Sequence, residues 1–176
     1  MKKILPLLLI ISFVSCNTVS STHTKNNKEI LFQVKNQKDF DGGIMPWISI
    51  KNPENFLEDL IGKEEIVIKE NVATLIIDYP LSKPLNIEIK SKNSKGFSKQ
   101  ELVKIISREY KRIYKEEDNS AKNKVIPKDA RKGLINRNTT NGKYGIWGHD
   151  IDDLDLSAVM IKYKGGKVFL ELIVES

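Results

Sequence analysis

The chain has 176 residues, 40% hydrophobic and 30% charged, with ten Gly, six Pro and a single Cys. That balance excludes a collagen, a polytopic membrane protein and a wholly disordered chain, and one Cys excludes a scaffold stapled by internal disulfides. Twenty-nine basic against 23 acidic residues give +6, but only Arg108, Arg112, Arg131 and Arg137 are arginines. Nucleic-acid sites favour the bidentate guanidinium, and the abundance of Lys, Ile and Asn fits AT-rich codon usage, so no nucleic-acid partner is expected.

The first residues read as an address. Met1-Lys2-Lys3 is a basic leader, and Ile4 to Val14 is apolar apart from Ser12. This run is too short to span about 30 Å of hydrocarbon as a helix, but it suits the core of a signal peptide. Phe13-Val14-Ser15-Cys16 resembles the lipobox of bacterial lipoproteins, with Phe where Leu is usual. The resemblance implies a signal peptide over 1–15, and diacylation of Cys16 as the new N-terminus. Loss of Lys2 and Lys3 then leaves 27 basic and 23 acidic residues, +4. The implied location is the cell envelope, lipid-anchored through Cys16, with Asn17 favouring the outer membrane; acyl chains such as palmitate supply the membrane anchor. Residues 16–28 carry Val19 as their one apolar side chain after Cys16 and read as a tether, with His23 a solvated linker residue.

Residues 29–176 are expected to form one α+β domain: an antiparallel sheet of five to seven strands, one long helix on one face and one short helix. Glu29 to Lys35 alternates as a half-buried strand, Asp39 to Gly43 is a turn, and Ile44 to Ile50 returns. Asn52-Pro53 marks the start of the short helix (53–61), with Asn as its cap and Phe56, Leu57, Leu60 and Ile61 as its apolar stripe. Glu65–Lys69, Val72–Asp78 and Leu85–Lys90 are strand candidates, most economically a meander. The long helix covers 98–117. Ser98 with Glu101 is a capping box, and Leu102, Val103, Ile106, Tyr110, Ile113 and Tyr114 form its buried stripe. Lys115 to Asp118 is read as a solvated helix end, and Asn119 to Lys132 as a polar linker. Leu154–Lys162 and Lys167–Val174 close the chain as a hairpin around Gly165-Gly166.

Function is sought in the polar, Gly-rich stretch 133–155. Arg137, Asn138, Thr139, Thr140, Asn141, Tyr144, Trp147 and His149 offer donors, acceptors and flat apolar faces, the ingredients of a binding surface. The same residue types also cap turns and plug cores, and the sequence leaves both uses open. The partner would be an envelope protein or a small ligand. An alternative is a small envelope hydrolase with His149 as general base, Asp150 orienting it and a serine (Ser98, Ser107 or Ser157) as nucleophile. A third is a cation held by Asp150, Asp152, Asp153 and Asp155, although the EF-hand spacing fails and zinc lacks ligands. No cofactor is expected, and the protein reads as a binder more than an enzyme.

Gly96-Phe97-Ser98, the helix from Leu102 to Glu117 and the run LINRNTTNGKYGIWGHDIDDLDL are similar to a family of uncharacterised secreted or lipid-anchored proteins of Bacteroidetes. The resemblance covers roughly 80–176 and implies an envelope location without supplying a mechanism.

Overall fold

The computed structural model describes residues 28–92, 94–133 and 136–176. Cys16, the signal-peptide reading and most of the tether lie outside the described residues. The fold is α+β. Six strands form the main sheet: β1 (Lys28–Leu31), β2 (Ile48–Ser49), β4 (Val72–Ile77), β5 (Leu85–Lys90), β7 (Asp155–Lys164) and β8 (Lys167–Glu175). Their order is β1-β7-β8-β4-β5, with β2 also paired to β7. A second, two-stranded sheet joins β3 (Ile66–Ile68) to β6 (Phe97–Ser98), and α1 spans Lys99–Ser120.

The expected hairpin at the end of the chain is present and sets the register of the sheet. Lys164 faces Lys167, leaving a two-residue turn of Gly165 and Gly166, both with positive φ (56° and 74°). That is the geometry in which the turn twist matches the strand twist, and only glycine adopts it twice without strain. The sheet is antiparallel except where β8 lies parallel to β4, Thr74 opposite Phe169 and Ile76 opposite Glu171. β3 does not continue the β4–β5 meander; it turns away to pair with β6 and so reaches the start of the helix.

Alternation places Ala73, Leu75 and Ile77 of β4, Val159 and Ile161 of β7, and Leu170 of β8 on the inner face, all buried. Leu102, Val103, Ile106, Tyr110 and Ile113 of α1 join them in one core, as the 3.6-residue period of the helix requires. The helix begins one residue later and runs three residues further than the sequence indicates. Its cap is half of the expected box. Ser98 Oγ accepts from Glu101 N at 3.3 Å, but the Glu101 carboxylate turns instead to Lys92 N (2.7 Å) and Ser91 Oγ (3.2 Å).

Three local expectations are corrected. Residues 53–61 are two successive 3-10 turns, Pro53–Asn55 and Leu57–Asp59, and Asn52 makes no side-chain cap. The segment is too short to repay helix nucleation, and its apolar side chains are held by the core rather than by helical hydrogen bonds. Lys115 to Asp118 is not wholly solvated, because Glu117 is completely buried. Asn119 to Lys132 is tied down: Asn123 N donates to Asn141 Oδ1 (2.7 Å), Ile126 N to Asn138 Oδ1 (2.8 Å) and Arg131 Nε to Ile126 O (2.8 Å). No helix among the described residues is long and apolar enough to cross a membrane.

Candidate functional site

Three consecutive carboxylates at the end of α1 hold the following loop. Glu117 is the inner one. Its Oε1 accepts from Thr140 Oγ1 and Gly142 N, both at 2.7 Å, and its Oε2 from Tyr144 N (2.7 Å) and Gly145 N (3.1 Å). Burial pushes its carboxyl up, but the four donors outweigh burial and hold it below the usual glutamate range. Loop 140–145 is thus wrapped around one buried charge, the backbone N–H groups of Gly142, Tyr144 and Gly145 satisfied by a side chain instead of by a strand.

Glu116 and Asp118 grip the flanks. Lys143 Nζ (2.7 Å), Tyr144 Oη (2.6 Å) and Arg112 Nη1 (2.8 Å) all donate to the Glu116 carboxylate, which they hold down at about 2. Arg137 Nη2 donates to Asp118 Oδ1 at 2.8 Å, and its guanidinium lies 5.3 Å from the centre of the Tyr114 ring. Arg137 is 6% exposed, and its Nε has no acceptor among the described residues.

Asp150 closes the loop. Arg131 grips it with both Nη atoms, at 2.6 and 2.9 Å, and Arg137 Nη1 stands 3.6 Å away. Burial raises the Asp150 carboxyl, and the cations around it, Arg131 first, bring it below the usual range. Its carboxylate is therefore engaged by arginine and does not orient the His149 ring; the two residues adjacent in sequence are not assembled as a base and its partner. Lys128 Nζ holds Asp152 (2.9 Å) and Asp153 (3.1 Å). Asp155 begins β7, and burial alone pushes its carboxyl up. Among the described residues no three acidic or histidine side chains converge as a metal site would require.

The candidate binding residues divide by where these bonds point. Arg137 and Tyr144 are buried, while Asn138 and Asn141 hydrogen-bond the 123–126 backbone. Thr140 is 1% exposed on Glu117. Trp147 and His149 face outward. Trp147 is 38% exposed and His149 half-buried.

Their third partner, Tyr79, was not singled out from the sequence, where it is merely a turn residue before Pro80. Residues 79–83 form a small ladder with the loop: Trp147 N donates to Pro80 O (3.2 Å), Ser82 N to Gly145 O (3.0 Å) and Lys83 N to Tyr144 O (3.1 Å). This brings the Tyr79 ring edge-to-face against Trp147 at 5.2 Å and within 5.4 Å of the imidazole of His149. Trp147 and His149 are 6.0 Å apart. Two helix tyrosines anchor the assembly from beneath, Tyr110 Oη donating to Tyr79 O (2.8 Å) and Tyr114 Oη to His149 O (2.9 Å). No hydrogen bond among the described residues engages the imidazole of His149.

The outcome is a rigid base under a small, part-exposed aromatic surface. Compared with known protein families, with curated proteins and with solved structures, the chain matches none of them.

Proposed function

We propose that the protein is a lipid-anchored component of the cell envelope, held through Cys16, and that the surface of the 133–155 loop binds a partner, an envelope protein or a small ligand. One observation carries the binding reading. The loop is fixed from within by Glu117, Arg131, Arg137 and Asp150, yet Trp147 is left 38% exposed against Tyr79 and His149. A large aromatic side chain that contributes little to the core, on a backbone that need not be ordered on binding, is what a recognition surface favours. The imidazole, which no hydrogen bond among the described residues engages, adds ring nitrogens beside the two aromatic rings.

The anchor is tested by palmitate labelling of the full chain, with Cys16→Ala abolishing the label. The binding surface is tested by native mass spectrometry of the protein extracted gently in mild detergent. A stoichiometric added mass that disappears in Trp147→Ala supports the loop; an added mass indifferent to Trp147 removes it from the reading.

A further inference from the structure

The outward face of α1 carries a feature that the loop does not use. Lys104, Arg108, Lys111 and Lys115 are all exposed. At about 100° per residue they fall within about 60° of arc, and they extend over about 16 Å of helix. They face away from the buried stripe of Leu102, Ile106, Tyr110 and Ile113. Among the described residues no carboxylate pairs with Lys104, Lys111 or Lys115; Lys104 Nζ reaches only Gln100 Oε1, at 3.2 Å.

Most of the nearby acids are already engaged: Glu58 accepts from Lys63 Nζ and Glu64 from Gln100 Nε2, whereas the exposed Glu54 lines a hollow with Lys104, Arg108 and Lys111. Glu101 accepts from Lys92 N, Glu109 from Arg108 and Arg112, Glu116 from Arg112 and Lys143, and Asp118 from Arg137. Two shallow hollows of about 420 and 330 Å³ flank this basic face and share Lys104 and Arg108 in their walls.

We propose that this face of α1 docks on the surface of an anionic phospholipid bilayer. The inference rests on the envelope location proposed above. Its charge is supplied mainly by lysine, a flexible point charge suited to a diffuse layer of headgroups rather than to a phosphate chain of fixed geometry, for which arginine is the better fit. The face is the outward side of a helix, and the hollows beside it carry Glu54, Glu64 and Glu101 in their walls, carboxylates that would repel a linear polyanion laid along them. The eleven residues from Asn17 to Asn27 reach at most about 36–40 Å. A domain tethered at Cys16 therefore stays close to the headgroups, and a weak charge contact becomes an intramolecular one.

The test uses the processed chain, from position 16 onward and carrying Cys16→Ser, sedimented with vesicles of phosphatidylcholine alone or with about one-third phosphatidylglycerol. Stronger binding to the anionic vesicles, lost in 0.5 M salt, is expected. Each lysine near such a surface is worth about fivefold, so the triple variant Lys104→Gln, Lys111→Gln, Lys115→Gln should weaken the anionic preference about a hundredfold.

The control removes the same charge elsewhere, at the exposed Lys38, Lys164 and Lys167, and is expected to retain most of the preference. An equal loss in the control would reduce the effect to net charge and overturn the proposal. So would the absence of any preference between the two vesicles, or capture by soluble polyphosphate without it. Palmitate labelling of the wild-type chain is read separately: a missing label removes the anchor, while lost vesicle preference with the label intact removes only the docking face.

Discussion

The carboxylate of Glu117 occupies the place that a side chain at position 142 would need. A Cβ on Gly142 would stand 2.7 Å from the Glu117 carboxyl carbon, from its Oε2 and from its backbone oxygen. The backbone φ of Gly142 is not in the left-handed region, so glycine is required here by close approach and not by conformation. Gly142→Ala should therefore cost about 1–3 kcal/mol, the usual penalty for overpacking. Glu117→Gln should cost about 2–4 kcal/mol, because its amide group would face backbone N–H donors that had been bound to a charge. Chemical denaturation checks both, and the double variant should lose less than the sum of the two because they disturb one contact.

The same carboxylates set a pH dependence. Glu116, held at about 2, and Glu117, Asp150 and Asp152, all held below their usual ranges, contribute stability while ionised. Their folded pKa values lie below the unfolded ones, so this stability is fully present above the unfolded carboxylate range, about 4–4.5, and is lost as pH falls toward the folded values. Asp155 acts in the opposite sense, since burial raises its pKa and protonation relieves it. The melting temperature is expected to be level from about pH 7 to 5 and to fall between about pH 4.5 and 2. The fall should be shallower in Glu117→Gln. A melting temperature that rises through that range would show that these bonds do not support the fold.

Periodicity made the long helix, β4, β5 and the final hairpin legible, because each is long enough for its apolar residues to repeat against one face. The parallel contact of β8 with β4 was not legible, since nothing in either strand names its neighbour. Glu117 was misread for a related reason. In a run of Lys and Glu at a helix end it looks like any solvated charge, and its burial depends on a loop that returns more than twenty residues later. In the candidate site, the residue types pointed to the right segment but not to the division within it. Arg137 is buried, Asn138 and Asn141 are spent on the 123–126 backbone, Trp147 is left exposed, and Tyr79 arrives from the turn between β4 and β5, more than sixty residues earlier in the chain.

Arg131 tests how the loop is closed. Its paired bonds to Asp150 use the planar fork of the guanidinium, and its side chain is 3% exposed. Arg131→Lys keeps the charge but supplies a single point donor, so it should lose part of the stability, about 1–2 kcal/mol. Arg131→Ala leaves Asp150 with the more distant Arg137 and Lys128, and should cost about 3 kcal/mol or more. Equal melting temperatures for the lysine variant and the wild type would mean that the bidentate geometry is not needed.

Trp147 and Arg137 sit in one loop, and both looked like binding residues, yet the structure gives them opposite expected behaviour. Arg137 lies beneath the surface, between Asp118, Asp150 and the Tyr114 ring. Arg137→Ala leaves two carboxylates short of a partner and should cost about 2–4 kcal/mol. At this chain length that lowers Tm by about 5–12 °C, and any loss of binding would follow from the loosened loop. Trp147 is more than a third exposed and meets Tyr79 edge-on. Trp147→Ala forfeits its ring contacts with Tyr79 and His149 and part of its apolar burial, about 1–2 kcal/mol, while removing the largest outward-facing group of the proposed surface. The comparison is made on both variants together, by thermal melt and by the bound mass in native spectra. Loss of the partner in Trp147→Ala with Tm within about 5 °C of wild type supports recognition through the aromatic surface. A Trp147→Ala melt as low as that of Arg137→Ala would instead assign the ring to the core, and the loop would then have no outward anchor for a partner.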